Sequence, residues 1–163
     1  FLKLFISDDC PPVQIAGTSA VSSVTTTMAR KQCTRPMNDA VAVVKSCVED
    51  HSWRIRTAIA QHYADFAKIF DEADIHAEIF PLVGTLLLDP ETEIRVLAAA
   101  AAVSFVDVVG PTEYLKEIVP ICQQLSDDDA PPARKAVADL VVESAVKVGQ
   151  DAASTHLNPL IIK

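Results

Sequence analysis

At 163 residues the chain is long enough for one ordinary domain with a core of its own. Half of it is apolar, yet only 6% is aromatic and only 4 residues are glycine, a composition that suits closely packed helices better than sheets. A formal charge of −8 and a pI near 4.8 argue against nucleic acid as the main partner, since phosphate binding needs a basic face. The longest apolar run, Val96 to Val106, falls well short of the ~20 residues that cross a bilayer.

In chain order, Phe1 to Ser7 reads as a helical stump, and Pro11-Pro12 breaks the chain before a helix over Val13 to Met28. The connection Ala29–Pro36 carries three extra residues. A helix then begins near Met37, with Asn38 or Asp39 as its cap. After Asp50, Ser52 is the expected cap of a helix over Trp53 to Phe70. Its Ile55, Ala58, Ile59, His62, Phe66 and Ile69 recur at steps of three and four as one apolar stripe. The stretch from Ile79 to Ala102 is an apolar helix, an acidic turn and a second apolar helix capped by Thr92. Gly110-Pro111 ends that second helix. Two further helices are predicted near Glu113–Leu125 and Pro132–Val148, and the start of another over Leu157 to Lys163.

These elements repeat. Pro81, Pro120 and Pro159 recur at steps of 39, as do Asp50, Asp89 and Asp128, then Arg56, Arg95 and Arg134, then Ala60, Ala99 and Ala138. Four independent columns at one period, with two helices per unit, are the signature of a helical solenoid of the HEAT or armadillo kind. The fold class is therefore all-α, an array of about four units with truncated ends. Residues 1–163 form one array, with units over 1–36, 37–75, 76–111 and 112–150 and the start of a fifth over 151–163. The first residue is Phe1 rather than Met, and both ends cut through a unit, so a trimmed piece with apolar ends is expected. Leu2, Leu4 and Phe5 would be uncovered at one end, and Leu160, Ile161 and Ile162 at the other.

Each column has a physical reason. Proline within a helix removes a hydrogen bond and kinks it, so each first helix should bend around its partner, except in the second unit, where Ala42 stands in that column. An Asp near the turn can accept from free N–H groups at the start of the second helix. Units 39 residues apart would bring each Arg beside a neighbouring Asp, making a structural ladder of Asp89, Asp128, Arg56, Arg95 and Arg134. Partly exposed pairs of this sort are worth ~0–1 kcal/mol each. The alanine column lets adjacent helices approach closely.

No catalytic or metal centre is legible. There is no glycine-rich phosphate loop, no GxSxG and no HExxH. His51, His62, His76 and His156 fall in different places, and nothing converges as three or four metal ligands would. No cofactor is expected. Cys10, Cys33, Cys47 and Cys122 show no CxxC spacing and read as free thiols of a reducing compartment; the cytosol follows as the expected location, with the nucleus beside it.

What remains is surface. The turns Ser7–Pro12, Glu49–Trp53, Asp89–Glu93 and Ser126–Pro132 should line up along one edge as an acidic ridge. Its candidate partner-binding residues are Asp8, Asp9, Asp50, His51, Ser52, Trp53, Arg54, Pro90, Glu91, Thr92, Asp127 and Asp129. Trp53, the only tryptophan, sits at a helix mouth off the apolar stripe, where it is either packed against the next turn or offered to a partner.

The runs EDHSWRIRTAIA (Glu49–Ala60), IFPLVGTLLLDPETEIRVLAAAA (Ile79–Ala101) and IVPICQQLSDDDAPPARKAVA (Ile118–Ala138) resemble consecutive HEAT repeats from the middle of the scaffold (A) subunit of protein phosphatase 2A. The likeness covers essentially the whole chain. The acidic-Ser-Trp-Arg-x-Arg turn is its most specific piece; Gln14 in the Arg column, Ala42 in the Pro column and the residues added before Met37 depart from it. The resemblance implies a non-catalytic scaffold. Its turns would hold a phosphatase regulatory subunit, with Trp53 on that surface, and a catalytic subunit would bind towards the other end, outside this segment. Two other classes fit a HEAT array. A transport-receptor solenoid would wrap a basic cargo, which the acidity permits. A tubulin binder ranks lower, since like charges repel.

Overall fold

The computed structural model describes Cys10, residues 12–17 and 19–20, Ser23 and residues 34–157. The expectations for Phe1–Ser7, for Asp8 and Asp9, for Cys33 and for Leu160, Ile161 and Ile162 lie outside the described residues. Within them the chain is helical throughout, with no strand.

Eight helices carry the architecture: α1 (Thr34–Val48), α2 (Trp53–Gln61), α3 (Tyr63–Ile69), α4 (Phe80–Leu87), α5 (Thr92–Ala102), α6 (Val106–Val109), α7 (Pro111–Leu125) and α8 (Pro131–Val148). Short turns at Glu72–Asp74 and Gln150–Ala152 open two further first helices, each widening into a π turn, at Ile75–Ile79 and Ala153–Leu157. First helices thus open at Glu72, Pro111 and Gln150, and second helices at Trp53, Thr92 and Pro131, all at steps of 39. Second helices stack on second helices, α2 and α8 both packing on α5, while α7 packs on α4 in the other layer. One continuous core joins the units. An aromatic seam crosses them: Phe105 lies 5.9 Å from both Tyr63 and Phe80, and Phe80 lies 5.9 Å from Tyr114. Both tyrosines are fully buried and keep a partner for their hydroxyls. Tyr63 donates to the Ile79 carbonyl at 2.8 Å, and Tyr114 pairs with Ser144 at 2.8 Å. Burial pushes both phenols well above their ordinary value.

Local details depart from the sequence reading. α1 begins at Thr34, so Asn38 and Asp39 lie inside it rather than capping it. The helix after Trp53 breaks at His62, where φ is −106° and ψ 2°. At that break Tyr63, not His62, is the residue that fills the core; His62 and Ile69 are only half-buried. The prolines at positions 81 and 120 face outward. Pro81 follows a π turn in which the Phe80 N–H reaches back to the Ile75 carbonyl, but α7 runs unbroken through Pro120. A proline therefore does not interrupt every first helix. Ala60 and Ala99 are buried, as closely approaching helices require, whereas Ala138 is exposed.

The units close in two ways. Gly110 (φ 79°) and Gly149 (φ 90°) end the second helices in a conformation other residues rarely adopt. One unit earlier Asp71 stays in the extended region (φ −73°), and its carboxylate accepts from the Asp74 N–H at 2.9 Å.

Candidate functional site: the ridge of turns

The turn between the two helices of a unit is built the same way each time. The carbonyl just before the second helix accepts two N–H groups, from the residues three and four further on. Ser52 accepts from Ile55 (3.0 Å) and Arg56 (3.2 Å), Glu91 from Ile94 (3.1 Å) and Arg95 (3.2 Å), and Ala130 from Ala133 (3.0 Å) and Arg134 (3.2 Å). Cys10 does likewise for Val13 (2.9 Å) and Gln14 (3.1 Å), which places a fourth turn in the same register.

The side chain that tightens the turn is the aspartate two residues earlier. Oδ1 of Asp50, Asp89 and Asp128 accepts from the N–H of Ser52 (2.7 Å), Glu91 (2.9 Å) and Ala130 (2.8 Å). Ser52 occupies the cap position, but its hydroxyl makes no cap bond. Thr92 is already the first helical residue, and its hydroxyl accepts from Arg95 at 3.3 Å. A serine or threonine at a helix mouth looks like a cap in sequence; here the N–H groups of Ile55 and Arg56 go to the Ser52 backbone carbonyl instead.

The same aspartates join units. Arg56 donates from Nε to Asp89 Oδ2 (2.7 Å) and from Nη2 to Asp89 Oδ1 (3.1 Å). Arg95 donates from Nη2 to Asp128 Oδ1 (2.9 Å), with Nε 2.8 Å from Oδ2 but off the angle of a hydrogen bond. The Arg56 side chain is 12% exposed and that of Asp89 5%. Asp89 is buried and Arg56, Arg95 and Asp128 are half-buried, so these pairs are better covered than the partly exposed ones expected from sequence, and the energetics change accordingly. Stranding a buried carboxylate such as Asp89 costs ~3–5 kcal/mol, against ~0–1 kcal/mol for breaking a pair at an open surface. The Asp89 hydrogen bond raises the Arg56 guanidinium above its ordinary value despite its burial. The Asp128 carboxyl is held below its usual range, first by the Ala130 N–H and then, against burial, by Arg95.

With the aspartates and arginines so occupied, the rest of the ridge faces out. His51, Trp53, Arg54, Pro90, Glu91, Asp127 and Asp129 are exposed, while Asp50, Ser52 and Thr92 are half-buried. Trp53 is 40% exposed, with the Arg54 guanidinium 4.6 Å above its ring. The neighbouring Ile55 and Ile59 are fully buried, so the tryptophan stands off the packed stripe. Between the third and fourth turns lies an open cleft of about 360 Å³ lined by Leu88, Pro90, Gln124, Asp127 and Asp129, with the Arg95–Asp128 pair at its base. Leu88, 45% exposed, was not among the sequence candidates. Its signal was present, for it shares a column with Glu49 and Asp127. No group of three His, Cys, Asp or Glu among the described residues could hold a metal ion. No helix among them is long and apolar enough to cross a membrane.

Residues 72–149 match the family described as PPP2R1A-like HEAT repeat. Among solved structures, the crystal structure of an engineered protein is similar over 98% of this chain, with a TM-score of 0.66 and 20% identity. This chain spans about two thirds of that one's length, 66%. That identity speaks for fold alone. The chain is a HEAT-repeat α-solenoid. No curated protein matches it. The match over 72–149 takes in two complete first helices, two second helices (α5 with α6, and α8) and the cleft, while Trp53 lies in the unit before it.

Proposed function

We propose that this HEAT array is a non-catalytic scaffold of the protein phosphatase 2A type, whose ridge of turns holds a phosphatase regulatory subunit. The catalytic subunit binds elsewhere on the full scaffold, in the cytosol and the nucleus. One observation carries the reading. A large aromatic residue stands exposed at a turn whose neighbours are spent on holding the array together, with a cation stacked upon it. Exposed Trp and Arg are the residue types that most often dominate protein interfaces, and the match of residues 72–149 supports this class of scaffold.

Trp53→Ala and Arg54→Glu, each measured for thermal midpoint and for capture of a purified phosphatase 2A regulatory subunit, test it. Both changes should abolish capture, with an interface loss of ~2 kcal/mol or more, and leave the midpoint nearly unchanged. Capture that survives both substitutions would place the binding surface elsewhere. The acidic cleft beside Leu88 favours a second reading, a solenoid that wraps a basic cargo. A salt-sensitive complex with a basic peptide, unaffected by Trp53→Ala, would select it.

A further inference from the structure

The fourth unit departs from the two before it where its first helix gives way to the turn. Val48 and Leu87 occupy this place in the earlier units, and both are buried apolar residues. One period on stands Ser126, half-buried, directly after α7. Its backbone keeps the helical course, with φ −62° and its N–H on the Cys122 carbonyl at 2.9 Å. Its hydroxyl lies at the surface and donates to the Gln123 carbonyl at 2.8 Å. A hydroxyl has replaced a core methyl group at the edge of the ridge.

Three carboxylates follow it in a row, Asp127, Asp128 and Asp129, and no other serine or threonine of the chain is followed so. Asp127 and Asp129 are exposed, while Asp128 between them is spent on Arg95 and on the Ala130 N–H. An enzyme that selects its hydroxyl by the carboxylates placed after it would read this stretch through lysines and arginines of its own. Ser46 offers a comparison within the same chain. It is exposed and has Glu49 three residues on, but Cys47 and Val48 between them are buried.

We propose that Ser126 is a phosphorylation site for an acid-directed protein kinase, and that its phosphate loosens the seam between the third and fourth units. The Ser126 Oγ attacks the γ-phosphorus of ATP. The new O–P bond forms as the bond to ADP breaks, and the hydroxyl proton passes to the kinase's own base. The phosphate brings a charge of about −2. It stands at the carbonyl end of α7, where the helix dipole disfavours an anion. Asp127 is its chain neighbour, and the aspartate that grips Arg95 lies two residues on. The proposal stands independently of what the ridge binds.

Incubating the folded chain with casein kinase II and ATP, then placing the phosphate by mass spectrometry, tests it. Ser126 should be labelled, and Ser46 about tenfold more slowly or not at all. Asp129→Asn should slow labelling of Ser126 by about tenfold, since it removes one carboxylate from the recognised row. The backbone carbonyl of residue 129, which accepts from Arg134, is kept in that variant. Phosphorylation should lower the folding equilibrium in urea by about two- to fivefold, the effect of one anion at the wrong end of a helix. Removing the phosphate with alkaline phosphatase should restore it, and Ser126→Ala carried through the same kinase treatment should show no such loss. A folded chain that takes no phosphate on Ser126 overturns the proposal. So does a labelling rate that Asp129→Asn leaves unchanged, or a phosphorylated chain no less stable than the unmodified one.

Discussion

Arg56 and Asp89, 33 residues apart, form a two-point salt bridge with contacts of 2.7 and 3.1 Å that ties the turn of one unit to the turn of the next. The same guanidinium clasps its own turn through the Asp50 carbonyl, and the same carboxylate closes its own turn through the Glu91 N–H. One pair thus fixes two local conformations and the register between them.

Arg56→Ala should therefore cost far more than a surface arginine does. The expected loss is ~3–5 kcal/mol, since it strands a buried carboxylate. Arg134→Ala, at the open face, should cost under about 1 kcal/mol. Urea denaturation of both variants checks this, and equal midpoints would contradict it.

Acid should loosen the seam between the third and fourth units. The folded state holds the Asp128 carboxyl below its unfolded value, so this group stabilises the fold above pH ~4, the ordinary carboxylate range. That contribution is lost as pH falls through the lower folded value. Asp128→Asn should lower stability at pH 7 and flatten its fall between pH 5 and 2, as followed by urea midpoints across pH.

Gly110→Ala should destabilise the chain although an added Cβ meets nothing within 4 Å. The cost is backbone strain at φ 79° and ψ 153°, ~1–3 kcal/mol for a residue other than glycine. Asp71→Ala, at the same place one unit earlier, has φ −73° and would lose only a cap bond, ~1 kcal/mol. The order of the two thermal midpoints decides the matter.

Cys122 should resist thiol reagents in the folded chain. Burial pushes its thiol up to about 12, so almost no thiolate exists at neutral pH. Cys10 is exposed and should react at once. Site-resolved mass spectrometry after brief alkylation, with and without urea, should show Cys122 labelled only when the chain unfolds.

Much of this was legible in one dimension. A column that recurs every 39 residues can do so only if the same contact is made each time, so period, helix pairing and the partnership of arginine with a neighbour's aspartate could be read from spacing. Ser52 and Thr92 were misread because residue type marks a helix mouth without saying which atom closes it: the Ser52 carbonyl accepts from Ile55 and Arg56, and Thr92 already lies inside its helix. The break at His62 depends on where Tyr63 finds the core and the Ile79 carbonyl, a contact 16 residues away. Burial of the ion pairs, exposure of Trp53 and Leu88, and the contrast between Ala99 and Ala138 belong to the tertiary structure alone. Each depends on what lies across from a residue in the stack, and identical residues one period apart differ when one is covered and the other is not. The sequence by itself determined the repeating unit; the stack decided which copies are core and which are surface.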